Sequence, residues 1–134
     1  HYMGYDLLDG GISDPIPIEK SLADGNTFHV IVLTRNKGYQ KEPFGHTAFL
    51  KAAFRKYPAV AEAMRTRHEI YNRQLALCEK LEKAGRAVII RPLKPLNVSR
   101  TKAEVPALLA LHDEGLYEGR AALSSIEEML SIKL

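Results

Sequence analysis

The fold class of this 134-residue chain is decided by one apolar stretch, Phe28-His29-Val30-Ile31-Val32-Leu33-Thr34. The stretch is rich in β-branched residues, a composition that is typical of β-strands. A nearly continuous apolar run indicates a strand with both faces covered, as in a parallel or mixed sheet. We therefore predict a central strand over residues 28–34, followed by a polar, glycine-containing loop over residues 35–45.

A second apolar run over residues 87–90 predicts another short, buried strand. Between the two runs, a long helical pattern begins at Pro58 and ends before Gly85, residues that favour a first turn and the position just past a helix. An apolar stripe runs along this helix and contains Val60, Met64, Tyr71, Leu75, Cys78 and Leu81. Strands that alternate with helices indicate an α/β layer. Two strands make a small sheet, so we expect further strands in sequence before residue 1.

Shorter helical patterns occur on both sides of the long helix, over residues 18–23, 47–57 and 120–132. Another helix is expected to start between residues 101 and 106. Thr101 and Glu104 have capping-box spacing, whereas Pro106 favours a later start. Gly115 and Gly119 predict an interruption between this helix and the last one.

The composition is that of a globular protein, with 46% hydrophobic and 26% charged residues of both signs. The net charge of +3 is spread along the chain without a block of five like charges, so we expect no nucleic-acid partner. No apolar run approaches the length of a membrane span. We expect the single cysteine, Cys78, to have an ordinary packing role. The five histidines lack the paired spacing of a metal site.

The turn-rich segment near the N-terminus contains Asp9-Gly10-Gly11-Ile12-Ser13-Asp14-Pro15-Ile16-Pro17. Its two prolines exclude a helix. A carboxylate followed by two glycines indicates a turn at which the backbone needs a positive φ or a close approach to another group. From the residues alone, a plain tight turn is a sufficient interpretation.

The whole segment over residues 9–17 resembles the second catalytic block of the patatin-like phospholipase family. In that block, Asp-Gly-Gly or Asp-Gly-Ala is followed by a short spacer, Asp or Asn, and a proline pair. The layout to about residue 120 is similar to bacterial patatin-like proteins with an added C-terminal helical region. The resemblance implies the C-terminal part of such a protein, with a partial three-layer α/β/α sandwich. Residues 1–46 would end the catalytic domain, and residues 47–134 would form a helical region with one further strand.

The resemblance also implies a Ser–Asp dyad that hydrolyses lipid acyl esters, with a phospholipid or another acyl ester as substrate and no cofactor. Asp9 matches the dyad aspartate. The residues that would shape its loop are Gly10, Gly11, Asp14, Pro15 and Pro17. A carboxylate can accept the proton of a serine hydroxyl if partial desolvation raises the pKa of that carboxylate. Direct participation of Asp14 is a lesser alternative, and Asp6 ranks below Asp9 because no glycines follow it.

The other two catalytic blocks of the family are absent from the sequence. It contains neither a Gly-x-Ser-x-Gly nucleophile elbow nor a Gly-x-Gly-x-x-Gly stretch that would supply oxyanion-hole amides. We therefore expect the 134 residues alone to be inactive, and the serine to lie elsewhere in the parent protein.

A different class of function is also compatible with the sequence. Residues 48–134 could form a helical module that self-associates through exposed strand edges or docks on a membrane. Aromatic and basic residues over residues 44–57 suit peripheral membrane contact, although packing of an amphipathic helix on the sheet is the simpler interpretation. Arg67, Tyr71 and Asn72 could form a polar cluster, for which ordinary helix surface is again the simpler interpretation. A cytoplasmic or peripheral membrane location is expected.

Overall fold

The structure, a computed structural model, describes residues 3–96 and 104–131. It is mostly helical, at 55% helix, and it divides into two compact units. Unit 1 contains the described residues of His1–Asp24 and of Gln40–Leu77, and unit 2 contains those of Gly25–Tyr39 and Cys78–Leu134. The elements in chain order are α1 (Ile18–Ala23), β1 (His29–Val32), α2 (Thr47–Ala53), α3 (Pro58–Lys83), β2 (Ala87–Ile90), α4 (Val105–Ala121) and α5 (Leu123–Ser131).

Unit 1 is helical and consists of α1, α2, the greater part of α3 and the loops between them. Its buried apolar side chains come from each of these segments and are Ile16, Ile18, Leu50, Ala61 and Leu75. The sequence prediction for α1 is confirmed. The next helix is shorter than predicted, because α2 ends at Ala53 and Phe54 is already its C-cap residue.

Unit 2 contains a two-stranded parallel sheet, in which His29 pairs with Ala87 and Val32 with Ile90. Parallel neighbours need a long crossover connection, and the chain between β1 and β2 includes α3. Helix α5 packs against β2 and buries Met129. The predicted positions of both strands and of α3 are therefore confirmed.

The predicted three-layer α/β/α sandwich is wrong for the described residues, which form only the two-strand sheet. The prediction that this strand is covered on both faces is also wrong. Along β1 buried and exposed residues alternate, so that His29 and Ile31 are buried while Val30 and Val32 are 50% and 71% exposed. The apolar run does form a strand, but over His29–Val32 one face is buried and the other is exposed. The proposed division at residue 46 stays a prediction.

The ends of the helices follow local chemistry. Beyond α3, Gly85 has a φ of +66°, its N–H donates to the Glu82 carbonyl (3.0 Å), and the Arg86 N–H donates to the Leu81 carbonyl (2.9 Å). This is a Schellman motif, which stops the helix. Helix α4 runs through Gly115 and Gly119 without a break. The predicted interruption between this helix and the last one is present, but it lies at Ala122 and not at the glycines, because a helical glycine costs only about 1 kcal/mol.

The N-terminus of α4 agrees with the later of the two predicted starts. Glu104 is the N-cap residue and Pro106 lies in the first turn. Thr101, the proposed partner of Glu104 in a capping box, lies outside the described residues.

Candidate functional site

Asp9 lies in unit 1, at the start of a short 3-10 turn over Gly10–Ile12. Its side chain is exposed, and its Oδ1 accepts a hydrogen bond of 2.7 Å from the Gly11 N–H. The Ile12 N–H donates to the Asp9 carbonyl at 3.1 Å, which closes the turn. The carboxylate therefore has a fixed orientation set by its own backbone, an arrangement common to aspartates that cap a turn.

The two glycines of the turn differ in what the structure requires of them. Neither has a positive φ. A Cβ on Gly10 would meet nothing within 4 Å, whereas a Cβ on Gly11 would lie 3.1 Å from Asp9 Oδ1 and 3.6 Å from Arg67 Nη2. Close approach of the carboxylate and the guanidinium thus explains glycine at position 11.

The side chain of Arg67, on helix α3, holds this turn in place. The Arg67 Nε donates to the Gly11 carbonyl at 2.6 Å, across 56 residues of sequence. The guanidinium is part-buried, so water screens this bond less than a surface contact. Arg67 therefore fixes the turn that presents Asp9 and places a positive charge close to it.

Two helical turns further along α3, Gln74 holds the rest of the loop. Its side chain is 2% exposed and makes two hydrogen bonds. Its Nε2 donates to Asp14 Oδ1 at 2.5 Å, and its Oε1 accepts from the Ile16 N–H at 3.0 Å. Asp14 thus lies against α3. Pro15 is half-buried, and Pro17 is the N-cap residue of α1.

Together these contacts present the Asp9 carboxylate on a loop that two side chains of α3 hold in place. We call residues 9–17, together with Arg67 and Gln74, the Asp9 loop site. A general base is expected to be partly desolvated, yet Asp9 is exposed. Desolvation would therefore have to come from a group that covers the carboxylate.

Other residues singled out in the sequence have separate partners in unit 1. Asp6 accepts a hydrogen bond from the Tyr57 hydroxyl, and this bond raises the pKa of Tyr57. Asn72 makes two hydrogen bonds with the Lys41 backbone, at 2.8 Å and 3.1 Å, and the Lys41 ammonium lies 5.7 Å from the Tyr71 ring centroid. Arg67, Tyr71 and Asn72 therefore fasten two loops to α3, whereas ordinary helix surface was the simpler interpretation.

Gln74 was missed in the sequence, although a signal was present. It lies among the predicted stripe positions, three residues after Tyr71 and four before Cys78. A polar side chain on a buried stripe needs a hydrogen-bond partner inside the protein. The pattern could have predicted a partner, but not which loop supplies it.

Among the described residues, no group of three or more His, Cys, Asp or Glu side chains is arranged to hold a metal ion.

The pKa of His29 in β1 is lowered, mainly by burial and to a lesser extent by the positive charge of Arg86. Within the same described ranges, no helix has the combination of length and apolar character that a bilayer crossing requires.

With this geometry established, comparison with known families adds one result. Residues 57–131 match a family model described as Domain of unknown function (DUF6363). The chain belongs to the DUF6363 family. Neither a curated protein nor a solved structure matches it. The DUF6363 match contains α3, with Arg67 and Gln74, as well as β2, α4 and α5. Asp9 and β1 lie outside it.

Proposed function

We propose that this DUF6363 chain supplies the aspartate of a Ser–Asp dyad in a patatin-like lipid acyl hydrolase. Asp9 acts as the base, and the serine comes from a part of the same protein that these 134 residues do not include. The substrate is a phospholipid or another acyl ester, and no cofactor takes part.

One observation supports this proposal most strongly. The Asp9 carboxylate is exposed, yet its orientation is fixed by the Gly11 N–H at 2.7 Å. A base must be held within hydrogen-bond reach of the hydroxyl it deprotonates, and a fixed carboxylate avoids the cost of ordering it during the reaction. Its second oxygen is the atom that would face the serine.

The contacts from α3 support the proposal further. Arg67 and Gln74 hold the loop at Gly11, Asp14 and Ile16, so the position of Asp9 does not depend on the turn alone. Catalytic side chains require this kind of support from neighbouring residues. In the complete protein, the segment that bears the serine would also cover Asp9 and exclude water, which would raise the pKa of its carboxylate.

The test is ester hydrolysis by the protein that contains both this chain and the serine. Asp9→Asn keeps the size of the side chain but removes the base, so kcat for p-nitrophenyl esters should fall by about 10⁴-fold, as for loss of a triad aspartate. Asp6→Asn is the matched control, because it removes an exposed carboxylate three residues upstream. Near-normal kcat in Asp9→Asn, or an equal loss in both variants, would refute the assignment.

A second candidate function, peripheral membrane contact, is favoured by a groove of about 300 Å³ in unit 1, beside α2. Lys51, Arg55, Glu62 and Arg65 are the charged residues that line it. Arg65 donates two hydrogen bonds to Glu62, at 2.8 Å and 2.6 Å, and these bonds lower the pKa of Glu62. Lys51 and Arg55 then supply the net positive charge, and Phe49 on α2 is 65% exposed. Basic and aromatic side chains together suit a surface of anionic lipid.

Vesicle flotation separates this candidate from self-association. We expect the chain to float with vesicles that contain phosphatidylserine and not with pure phosphatidylcholine vesicles. The double variant Lys51→Glu/Arg55→Glu should abolish flotation, whereas Lys80→Glu/Lys83→Glu, an equal charge reversal on exposed α3 residues, should not. Absence of flotation, combined with dimers in light scattering, would instead favour self-association through strand edges.

A further inference from the structure

Helices α4 and α5, both in unit 2, contain leucine at every seventh position along one side. Ala122 is the only residue between the two helices, and its backbone stays in the right-handed helical region, with φ −79° and ψ −15°. Residues at this spacing lie along one side of a helix, because seven residues are close to two turns. All four of these leucines are exposed, by 47% to 59%. We call them the leucine face: Leu109, Leu116, Leu123 and Leu130.

The leucine face is not the side of the helices that packs within unit 2. On α4, Leu111 and Glu118 line a cavity with the end of β2, so they mark the inner side of that helix. Leu109 is two residues before Leu111 and therefore lies about 200° around the helix from it. On α5, Met129 is buried, whereas Leu130 is 54% exposed. The two helices thus have a second apolar side that faces outward, a feature that marks interaction surfaces.

The charges of α4 and α5 limit the kind of partner that can cover the leucine face. Residues 104–131 contain six carboxylates and one arginine. Anionic lipid repels a surface with this excess of negative charge, so the face does not suit an anionic membrane. Apolar residues repeated every seven positions are instead the pattern with which two helices pack into a coiled coil. A second copy of the chain presents the same pattern.

Charged residues beside the leucine face complement a second copy in the antiparallel direction. In a dimer with twofold symmetry, if residue i contacts residue j of the partner, then j also contacts i. Asp113 and Arg120 are seven residues apart and lie on the same edge of the face. In an antiparallel pair with its axis near residue 117, each Asp113 lies beside the partner's Arg120. Asp113 Oδ1 lies 3.2 Å from His112 Nδ1, but the Asp113 side chain is 78% exposed and can reach a partner.

Gly119 is a second sign of complementarity between two copies. A Cβ at this position would meet nothing within 4 Å, so packing inside the chain does not require a glycine there, and glycine is unfavourable inside a helix. In the same antiparallel pair, the Leu116 side chain fills the space above the partner's Gly119. A parallel pair would place the two glycines opposite each other and leave a void, which protein interfaces avoid. The antiparallel arrangement therefore explains both the charges and the glycine.

We propose that the chain forms an antiparallel homodimer through the leucine face. In this dimer Leu116 packs on the partner's Gly119, and Asp113 pairs with the partner's Arg120. The interface uses no residue of the Asp9 loop site, so the proposal is independent of the hydrolase function. It also uses no strand edge, and so differs from self-association through the sheet.

Sedimentation equilibrium of the 134-residue chain over a range of concentrations measures the dissociation constant of the dimer. Leu109→Lys/Leu116→Lys places two charges per copy inside the interface and should raise this constant by at least about 100-fold. Leu93→Lys/Tyr117→Lys is the matched control, because it adds the same charge at exposed apolar residues outside the leucine face. The control should change the dissociation constant by no more than about twofold. Circular dichroism reports whether each variant remains folded.

Exchange of the two charges tests the antiparallel direction. Asp113→Arg places arginine beside arginine at both ends of the interface and should weaken the dimer by about tenfold. Asp113→Arg/Arg120→Asp exchanges the charges and should restore the wild-type dissociation constant. Three results would each overturn the proposal: a wild-type chain that is monomeric at every concentration, a dimer that Leu109→Lys/Leu116→Lys leaves intact, or no recovery in the exchanged variant. The second result would place self-association elsewhere, as at the strand edges.

Discussion

Replacement of Gln74 by methionine should destabilise unit 1 more than a substitution on the exposed surface of a helix does. Methionine has a similar length and fills the buried site, but it cannot replace either hydrogen bond to the loop. The Ile16 N–H would lose its acceptor, and a buried orphan donor costs about 1–3 kcal/mol. The bond to Asp14 is charge-assisted, although Asp14 is half-buried and water can replace part of that bond. We expect the free energy of unfolding to fall by about 2–3 kcal/mol in total.

Urea denaturation followed by far-UV circular dichroism measures this change. The matched control is Arg73→Met at the adjacent residue of α3. The Arg73 side chain is 62% exposed, and its Nε lies 3.3 Å from Glu19 Oε1. A surface ion pair of this kind contributes about 0–1 kcal/mol. A loss below about 0.5 kcal/mol in Gln74→Met, the usual size of a surface substitution effect, would refute the role of Gln74 in holding the loop.

Three further predictions concern unit 2 and the end of α3. His29 has a pKa below its ordinary 6.5 because it is buried and faces the charge of Arg86. The unfolded chain therefore binds more protons just below pH 6.5, so stability decreases as the pH is lowered through that range, and His29→Gln should flatten this dependence in urea midpoints. Gly85→Ala should cost about 1–2 kcal/mol in the same assay, because φ at that position is +66°; Gly119→Ala, inside α4, should not destabilise. Cys78 is fully buried, and burial raises its thiol pKa to about 11, so a disulfide reagent should modify it only at the rate of unfolding.

The elements of the fold were predictable where the signal is local. The strands β1 and β2 follow from short β-branched runs, and α3 follows from an apolar stripe between Pro58 and Gly85. The error in fold class arose at β1. A continuous apolar run was interpreted as a strand with two covered faces, but Val30 and Val32 are apolar and exposed. The sequence of a strand shows which side chains are apolar, but it does not specify which of them other elements bury.

The candidate site was predictable only in part. Residues 9–17 were identified from their resemblance to a family block, and the close approach at Gly11 agrees with the physical reason for a glycine there. The side chains that hold the loop, Arg67 and Gln74, are more than 50 residues away in sequence. Contacts over such a separation depend on how the chain folds back on itself, and one sequence has no local pattern that specifies them.

The most direct test of the proposed role of Asp9 as a base measures the reactivity of the proposed serine, independently of the natural substrate. A fluorophosphonate labels an activated serine covalently, so the labelling rate of a protein that contains both this chain and that serine reports how well the hydroxyl is deprotonated. We predict that Asp9→Asn lowers this rate by orders of magnitude while the protein remains folded, and that Asp6→Asn leaves it unchanged. Labelling of Asp9→Asn at the wild-type rate would contradict the dyad.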